Sequence, residues 1–402
     1  MKKVLLIFLL VVAGAGAVSA KENFSSQTIR VAIVRDAREV RLSIEGQYRL
    51  RNADSGKVIG QGLRLAYCRV RLLEKGILVG LDVHPVMRLI IEPVRDASIT
   101  VNNHRFRGDV MFIRTAPHRI TVVNGINIED YVKGVLYHEV SNHWPMEALK
   151  AQAVATRTYA LYSINPANKD YDVTNDIYSQ VYGGRESERY RTGLAVDRTA
   201  AEVLVYQDKV LPAYFHATCA GMTEDAKELW PKIDLAPLRG VPCMFCQDSP
   251  HMHWKKNFRL RDIQLALNKH GYKIGLIKDI SVVERDRSDR IRNLKMTSRD
   301  GQELVIPGKD FREMMGPNIL KSNNYEMSMQ GYYMDFTGKG WGHGVGLCQW
   351  GARGMALQQF TYKQILAYYY PGSQLTDYHH LQQALTTPTK EQIPANSPTQ
   401  VK

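Results

Sequence analysis

The spacing of apolar residues first changes character near residue 124, and that change bounds the fold. Before it, Ile29-Arg-Val-Ala-Ile-Val, Val40-Arg-Leu-Ser-Ile and Leu89-Ile-Ile-Glu-Pro are β-rich runs separated by turn signals such as Asn52-Ala-Asp-Ser-Gly. After Thr121-Val-Val-Asn-Gly-Ile, helical spacing begins: first Glu129 to Glu139, then a helix with Pro145 in its first turn and Glu147 close behind. Leu149, Ala153, Thr156 and Ala160 fall on one face of that second helix. Tyr178-Ser-Gln-Val-Tyr-Gly-Gly and Val203-Leu-Val-Tyr read as strands, 258–270 as a helix and 279–336 as strands again. A Gly-rich loop at 338–346 leads into another helix. A last helix starts at Thr361, whose spacing to Gln364 is a capping box, and stops before Pro371-Gly372.

No period of 20 to 50 residues is visible, which excludes solenoids and propellers. The fold class expected is α+β: a strand-rich N-terminal region followed by a core of mixed helices and antiparallel sheet. The boundaries read as 1–20, 21–123, and 124–375 with an inserted β-rich segment at 258–336. A polar tail at 376–402, holding Pro388, Pro394 and Pro398 without periodicity, is expected to be disordered.

With 44% hydrophobic and 23% charged residues, the 402-residue chain is neither a fibre, nor wholly disordered, nor a polytopic membrane protein. Its net charge of +13 suits an anionic partner. The first twenty residues narrow the choice. Lys2 and Lys3 precede the apolar run Val4–Val12, and Val18-Ser-Ala20 offers a cut before Lys21, the pattern of a secretory signal. No Cys stands at the cut, and the apolar run is shorter than a membrane span needs. The expectation is an exported protein, periplasmic or wall-associated, with no transmembrane helix once the signal is gone. It would keep a charge of +11 after losing those two lysines. Outside the cytoplasm an anionic extracellular polymer is the fitting partner, and nucleic acid is not.

Three constellations carry chemistry. Glu139 follows His138 and precedes Ser141-Asn-His-Trp-Pro145, so it lies between two helices among polar and aromatic groups, where a raised pKa would suit a general acid. Cys219, Cys243 and Cys246, with a Cys-x-x-Cys pair, supply three ligands for a tetrahedral zinc; Cys348, His216, His251 or His253 would be the fourth. A disulfide is the alternative in an exported protein. Cys68, in a strand-like run, reads as buried and inert. The loop Gly338-Lys-Gly-Trp-Gly-His-Gly-Val-Gly-Leu-Cys-Gln-Trp-Gly351 lacks the order of a phosphate loop. It either presents Trp341, His343, Gln349 and Trp350 to a ligand such as a sugar ring, or is a turn packed tightly against another element.

Ile128-Glu-Asp-Tyr-Val-Lys-Gly-Val-Leu-Tyr-His-Glu-Val140, Trp144-Pro-Met-Glu-Ala-Leu-Lys-Ala-Gln-Ala-Val-Ala-Thr-Arg-Thr-Tyr-Ala160 and Gly340-Trp-Gly-His-Gly-Val-Gly-Leu-Cys-Gln-Trp-Gly-Ala352 closely resemble the stage II sporulation protein D family, also called SpoIID/LytB. Weaker agreement runs through Arg105-Phe-Arg-Gly108, Gln180-Val-Tyr-Gly-Gly184, Phe215-His-Ala-Thr-Cys-Ala-Gly-Met-Thr-Glu224 and Tyr368-Tyr-Tyr-Pro-Gly372, in order over about residues 28–375. The resemblance implies a peptidoglycan substrate. Sporulation members are lytic transglycosylases acting on glycan strands without stem peptides, with their catalytic Glu in the segment matched here by Tyr137-His-Glu-Val, hence Glu139. Others, described as amidase enhancers, modulate a separate wall amidase. The matched motifs place His138, Lys150, Gln152, Arg157, Gln180, Tyr182, Trp341, His343, Gln349 and Trp350 as substrate-binding candidates. No cofactor is required for the chemistry, and a structural zinc is the one metal expected. The zinc ligands that some members carry before the Gln-Val-Tyr-Gly motif have no counterpart in Asp172-Val-Thr-Asn-Asp-Ile-Tyr-Ser179.

Overall fold

Alternation along the first hundred residues builds one layer. In the strand Glu39–Asn52, Val40, Leu42 and Ile44 are buried while Arg41 and Glu45 are exposed, the period-2 pattern of a sheet with one wet face. A computed structural model describes residues 27–164, 168, 170–175 and 180–381. The expected signal at 1–20, residues 178 and 179 and the tail beyond Leu381 lie outside them. The N-terminal strands join an 11-stranded sheet. Its heart is antiparallel: Thr28–Ala37 beside Arg119–Asn127, then Asp109–Ala116, Arg88–Pro93, Glu39–Asn52 and Val58–Leu73.

The chain leaves Arg119–Asn127 directly into a helix. Asn127 caps it, its side chain accepting the Glu129 N–H at 2.7 Å. Helix α1 (Ile128–Glu139) lies on the sheet through Ile128, Tyr131, Val132, Val135 and Leu136. Helix α2 (Met146–Ser163) follows, with Pro145 standing just before its first turn rather than inside it. Then come α3 (Tyr190–Asp197), α4 (Ala226–Leu229), α5 (Leu260–Lys269), α6 (Gly308–Met315), α7 (Gln349–Leu357) and α8 (Tyr362–Tyr369).

Helix α2 is buried on two faces. Leu149, Ala153 and Ala160, on the face legible in the sequence, join the core under the sheet. Ala148, Ala151, Val154 and Ala155 join a second core with α7, α8 and four cysteines. A helix buried all round needs small side chains, and the alanines of α2 supply them. Arg157, fully buried, ties α2 to α1 by a two-pronged pair with Glu129 at 2.7 and 2.9 Å, and also donates to the carbonyls of Glu202 and Val196.

A third core, from Trp254 to Phe336, belongs to the inserted segment. Strand His253–Arg259 pairs antiparallel with Tyr333–Lys339, closing the insertion five residues ahead of the expected 258. Ile277–Arg285, Ile291–Ser298 and Glu303–Pro307 form a separate three-stranded sheet.

Several expectations change in detail. Helix α6 interrupts the strands of 279–336, presenting Phe311 and Met315 to the third core. Gln180–Gly183 are not a strand but an irregular segment that meets α1, where the Gly183 N–H bonds the Gly134 carbonyl. Residues 376–381 are not tail: Gln374–Asp377 pairs with Glu202–Tyr206, and a turn of 3-10 helix follows with Tyr378 buried. Cys68 is only half-buried. The capping box at Thr361 and Gln364 forms as the spacing demands. Among the described residues no helix is long and apolar enough to cross a membrane.

Candidate functional site

Glu139 is the last residue of α1, and Val140 turns the chain to extended geometry immediately after it. The carboxyl is thus held at a helix end, half-buried, against the first turn of α7. Gln349 Nε2 donates to Glu139 Oε2 at 3.3 Å. Burial pushes the Glu139 carboxyl up to about 7, and the Gln349 hydrogen bond draws it only partly back. A carboxyl near neutrality can both give and take a proton, which an ordinary surface Glu does not do well.

His138, beside it, is exposed, and its Nε2 lies 2.6 Å from Ser187 Oγ. Partial burial and then the Arg189 charge push the imidazole down, which favours its neutral form. The pair fits because residue 183 is glycine: a Cβ there would lie 1.9 Å from Ser187 Oγ and 2.4 Å from His138 Nε2. Trp350 follows Gln349 and meets Trp144 edge-on, ring centroids 5.3 Å apart. Arginines rim this group. The Arg353 guanidinium lies 5.1 Å from the Trp350 ring, Arg189 lies 4.2 Å from the Tyr137 ring, and Arg191 grips the carbonyls of Asn142 and Trp144. Glu139, His138, Gln349, Trp350 and Trp144 are thus neighbours along the chain or in contact, with arginines beside them.

The other candidates lie elsewhere. Arg157 is committed to Glu129. Gln180 is buried, accepting from Tyr131 Oη at 2.9 Å, and Tyr182 Oη donates to Asn124 Oδ1 at 2.9 Å. Gln152 is buried and donates to Thr156. Lys150 pairs with Glu147 at 2.5 Å and covers the Tyr362 ring. Arg157, Gln180 and Lys150 are engaged by neighbouring elements, Tyr182 by the strand Arg119–Asn127, and the Gln152 bond stays within α2. The Gln-Val-Tyr-Gly-Gly run thus docks against α1, with Gly183 beside His138.

The Gly-rich loop takes its tight-turn reading. Gly340, Gly342, Gly344 and Gly346 all have positive φ. A Cβ on them would lie 2.6 Å from the Thr218 carbonyl, 2.7 Å from His216, 2.8 Å from the Arg290 guanidinium and 2.0 Å from the Tyr214 carbonyl. His343 is turned inward among Tyr214, His216 and Trp230, and burial with nearby Arg312 pushes it down to about 3. Trp341 packs on His251 and under Lys321, apart from the Glu139 group. Trp144, Ser187 and the three arginines were not singled out in the sequence. Trp144 sits within the matched motif, so its aromatic character next to Glu139 was the available signal.

The second site is the cysteine quartet. The sulfurs of Cys219, Cys243, Cys246 and Cys348 lie within 4.8 Å of one another, all buried, and these four residues could hold a metal ion. Cys348, and none of the three histidines, completes the group. His216 bonds the Val345 carbonyl through Nδ1, His251 reaches Lys321, and His253 is exposed on a strand.

Residues 116–206 match the family model described as stage II sporulation protein, and 245–346 match a domain of unknown function, DUF8618. An uncharacterised protein of Brachyspira hyodysenteriae is 40% identical over 286 residues, 70% of this chain and 75% of that protein. Stage II sporulation protein D of Bacillus subtilis is 30% identical over 271 residues, 63% of this chain and 76% of the relative. The amidase enhancer of the same organism is 28% identical over 292 residues, 61% of this chain but only 40% of the relative.

Proposed function

The chain belongs to the stage II sporulation protein D family, and on that footing we propose that it is an exported lytic transglycosylase of peptidoglycan. Its substrate is a glycan strand lacking stem peptides. The observation that carries this reading is the Glu139 carboxyl, half-buried at the end of α1, pushed up to about 7 and fixed by Gln349.

Protonated Glu139 delivers its proton to the glycosidic oxygen as the bond to C1 breaks. The carboxylate so formed then removes the proton from the C6 hydroxyl of the muramic sugar, which closes onto C1 and gives a 1,6-anhydro end. Because the nucleophile belongs to the substrate, one carboxyl serves as acid and then as base, and no second carboxylate at hydrolase spacing is required. Trp350 and Trp144 offer apolar faces to sugar rings. His138 and Gln349 offer polar groups, and Arg189, Arg191 and Arg353 attract the lactyl carboxylate that a peptide-free muramic residue exposes. The four cysteines take no part in the proton transfers; they act as a structural zinc site.

A second reading comes from the relative named amidase enhancer. On it, the same residues would bind glycan and recruit or activate a cell-wall amidase without cutting. The two are separated by incubating the purified chain with peptide-free strands, alone and beside an amidase on whole peptidoglycan. Cleavage by the chain alone supports the transglycosylase. Inert chain alone with a faster amidase gives the enhancer.

A further inference from the structure

We infer that Cys219, Cys243, Cys246 and Cys348 hold one zinc ion as a tetrathiolate, and that this ion fastens the chain entering the inserted segment, at Cys243 and Cys246, to the loop that leaves it and carries Gln349. The inference stands on the cysteine geometry and does not depend on glycan cleavage.

Sulfur spacing speaks first. Four thiolates about 2.3 Å from a tetrahedral zinc have sulfur–sulfur edges of about 3.8 Å. Cys219 and Cys246 are 3.6 Å apart and the whole set lies within 4.8 Å. A disulfide would need about 2.05 Å. The quartet encloses room for one ion and contains no carboxylate.

Donors are aimed at the sulfurs. The N–H groups of Cys219 and Gly351 each point to Cys348 Sγ at 3.3 Å, Tyr369 Oη lies 3.1 Å from Cys243 Sγ, and an Ala220 backbone hydrogen bond reaches Cys246. Arg290, itself buried, donates to the Cys219 carbonyl at 2.8 Å. Zinc with four thiolates carries net negative charge, and a buried anionic centre needs such an outer layer of N–H groups and a nearby cation. Four neutral thiols would not.

Packing gives an independent sign. Helix α7 presents Gly351 and Gly354 to the Cys243-Met-Phe-Cys246 knuckle. A Cβ at Gly351 would fall 1.9 Å from Tyr369 Oη and 2.8 Å from Cys243 Sγ; at Gly354 it would fall 2.0 Å from the Phe245 carbonyl. The helix is cut flat where the knuckle must come close.

The ion's consequence is topological. Cys219 follows strand Phe215–His216, which pairs in parallel with Leu347–Cys348. Cys243 and Cys246 begin the approach to the insertion, and Cys348 caps α7. One ion joins three stretches distant in sequence, and Gln349, the partner of Glu139, is the next residue after a ligand.

The test uses the full mature chain, purified and kept reduced. Elemental analysis should find one zinc per chain, and replacement with cobalt(II) should give intense sulfur-to-cobalt charge-transfer absorption. Cys348→Ser and Cys243→Ser should lose most of the zinc, while Cys68→Ser, outside the quartet, keeps it. Should those variants fail to fold, hydrogen exchange on chelator-treated wild type still decides. Exchange should accelerate at 215–222, 241–250 and 345–352 and stay unchanged over 28–127. Iron in place of zinc, equal metal loss in Cys68→Ser, or no metal uptake together with a mass deficit of two hydrogens per cysteine pair would each overturn the inference. All these readouts are taken without glycan, so they stand or fall separately from the cleavage reading.

Discussion

Glu139→Gln should remove cleavage and yet raise stability above neutral pH. Burial lifts this carboxyl from 4.5 to about 7 in the folded chain. The folded state therefore holds the proton more tightly than the unfolded one, and ionising the group opposes folding. At about 1.4 kcal/mol per pKa unit the shift sets a ceiling of about 3 kcal/mol. Glu139 is half-buried, so solvent screening reduces this to roughly 1–2 kcal/mol. The contribution is fully present below pH 4.5 and is lost as pH rises through about 7. The neutral amide has no such loss and keeps the Gln349 contact. Urea unfolding at pH 4, 6 and 8 should show variant and parent converging at the acid end and the variant ahead by about 1–2 kcal/mol at pH 8. Cleavage, measured alongside, should fall by about 10²–10⁴-fold. A variant less stable than the parent by the same margin at every pH would refute the reasoning, because Glu139 would then be a structural carboxylate.

Trp350→Ala should weaken binding to peptide-free glycan in a sedimentation assay, since it removes the ring against Trp144, with the fold unchanged by circular dichroism. Arg157→Ala should lower stability by about 3–5 kcal/mol in denaturant titration, as Glu129 loses its buried partner. Gly351→Ala should destabilise in the same assay despite alanine's better helix propensity, because the added methyl meets Tyr369 and Cys243. The cleavage rate of the parent should decline as pH rises past about 7, where Glu139 no longer carries the proton to donate.

What was readable in the sequence is what local chemistry determines. The helical spacing of α1 and α2, the Thr361 capping box and the Cys-x-x-Cys knuckle all depend on residues within a turn or two of one another. What escaped depends on long-range pairing. Gln180 and Tyr182 look like polar groups waiting for a ligand until Tyr131 and Asn124, 49 and 58 residues away, are seen to occupy them. The second buried face of α2 was hidden because alanines read as neutral filler until α7 and α8 cover them. His343 and Trp341 sit in the same glycine run as Gln349 and Trp350, yet His343 turns inward and Trp341 packs on His251, while Gln349 reaches Glu139 and Trp350 meets Trp144. The arginine rim is assembled from α3, its N-cap and α7, and no single stretch of sequence reveals it.

The most direct test of the central claim is product analysis in water enriched in oxygen-18. Purified chain is incubated with peptide-free glycan strands, and the new muramic ends are weighed by mass spectrometry. Closure of the sugar's own C6 hydroxyl onto C1 uses no solvent oxygen, so the account predicts anhydro ends without the label, formed by the parent and not by Glu139→Gln. Labelled reducing ends would mean hydrolysis, and intact strands would mean no cleavage by this chain; either result contradicts the account.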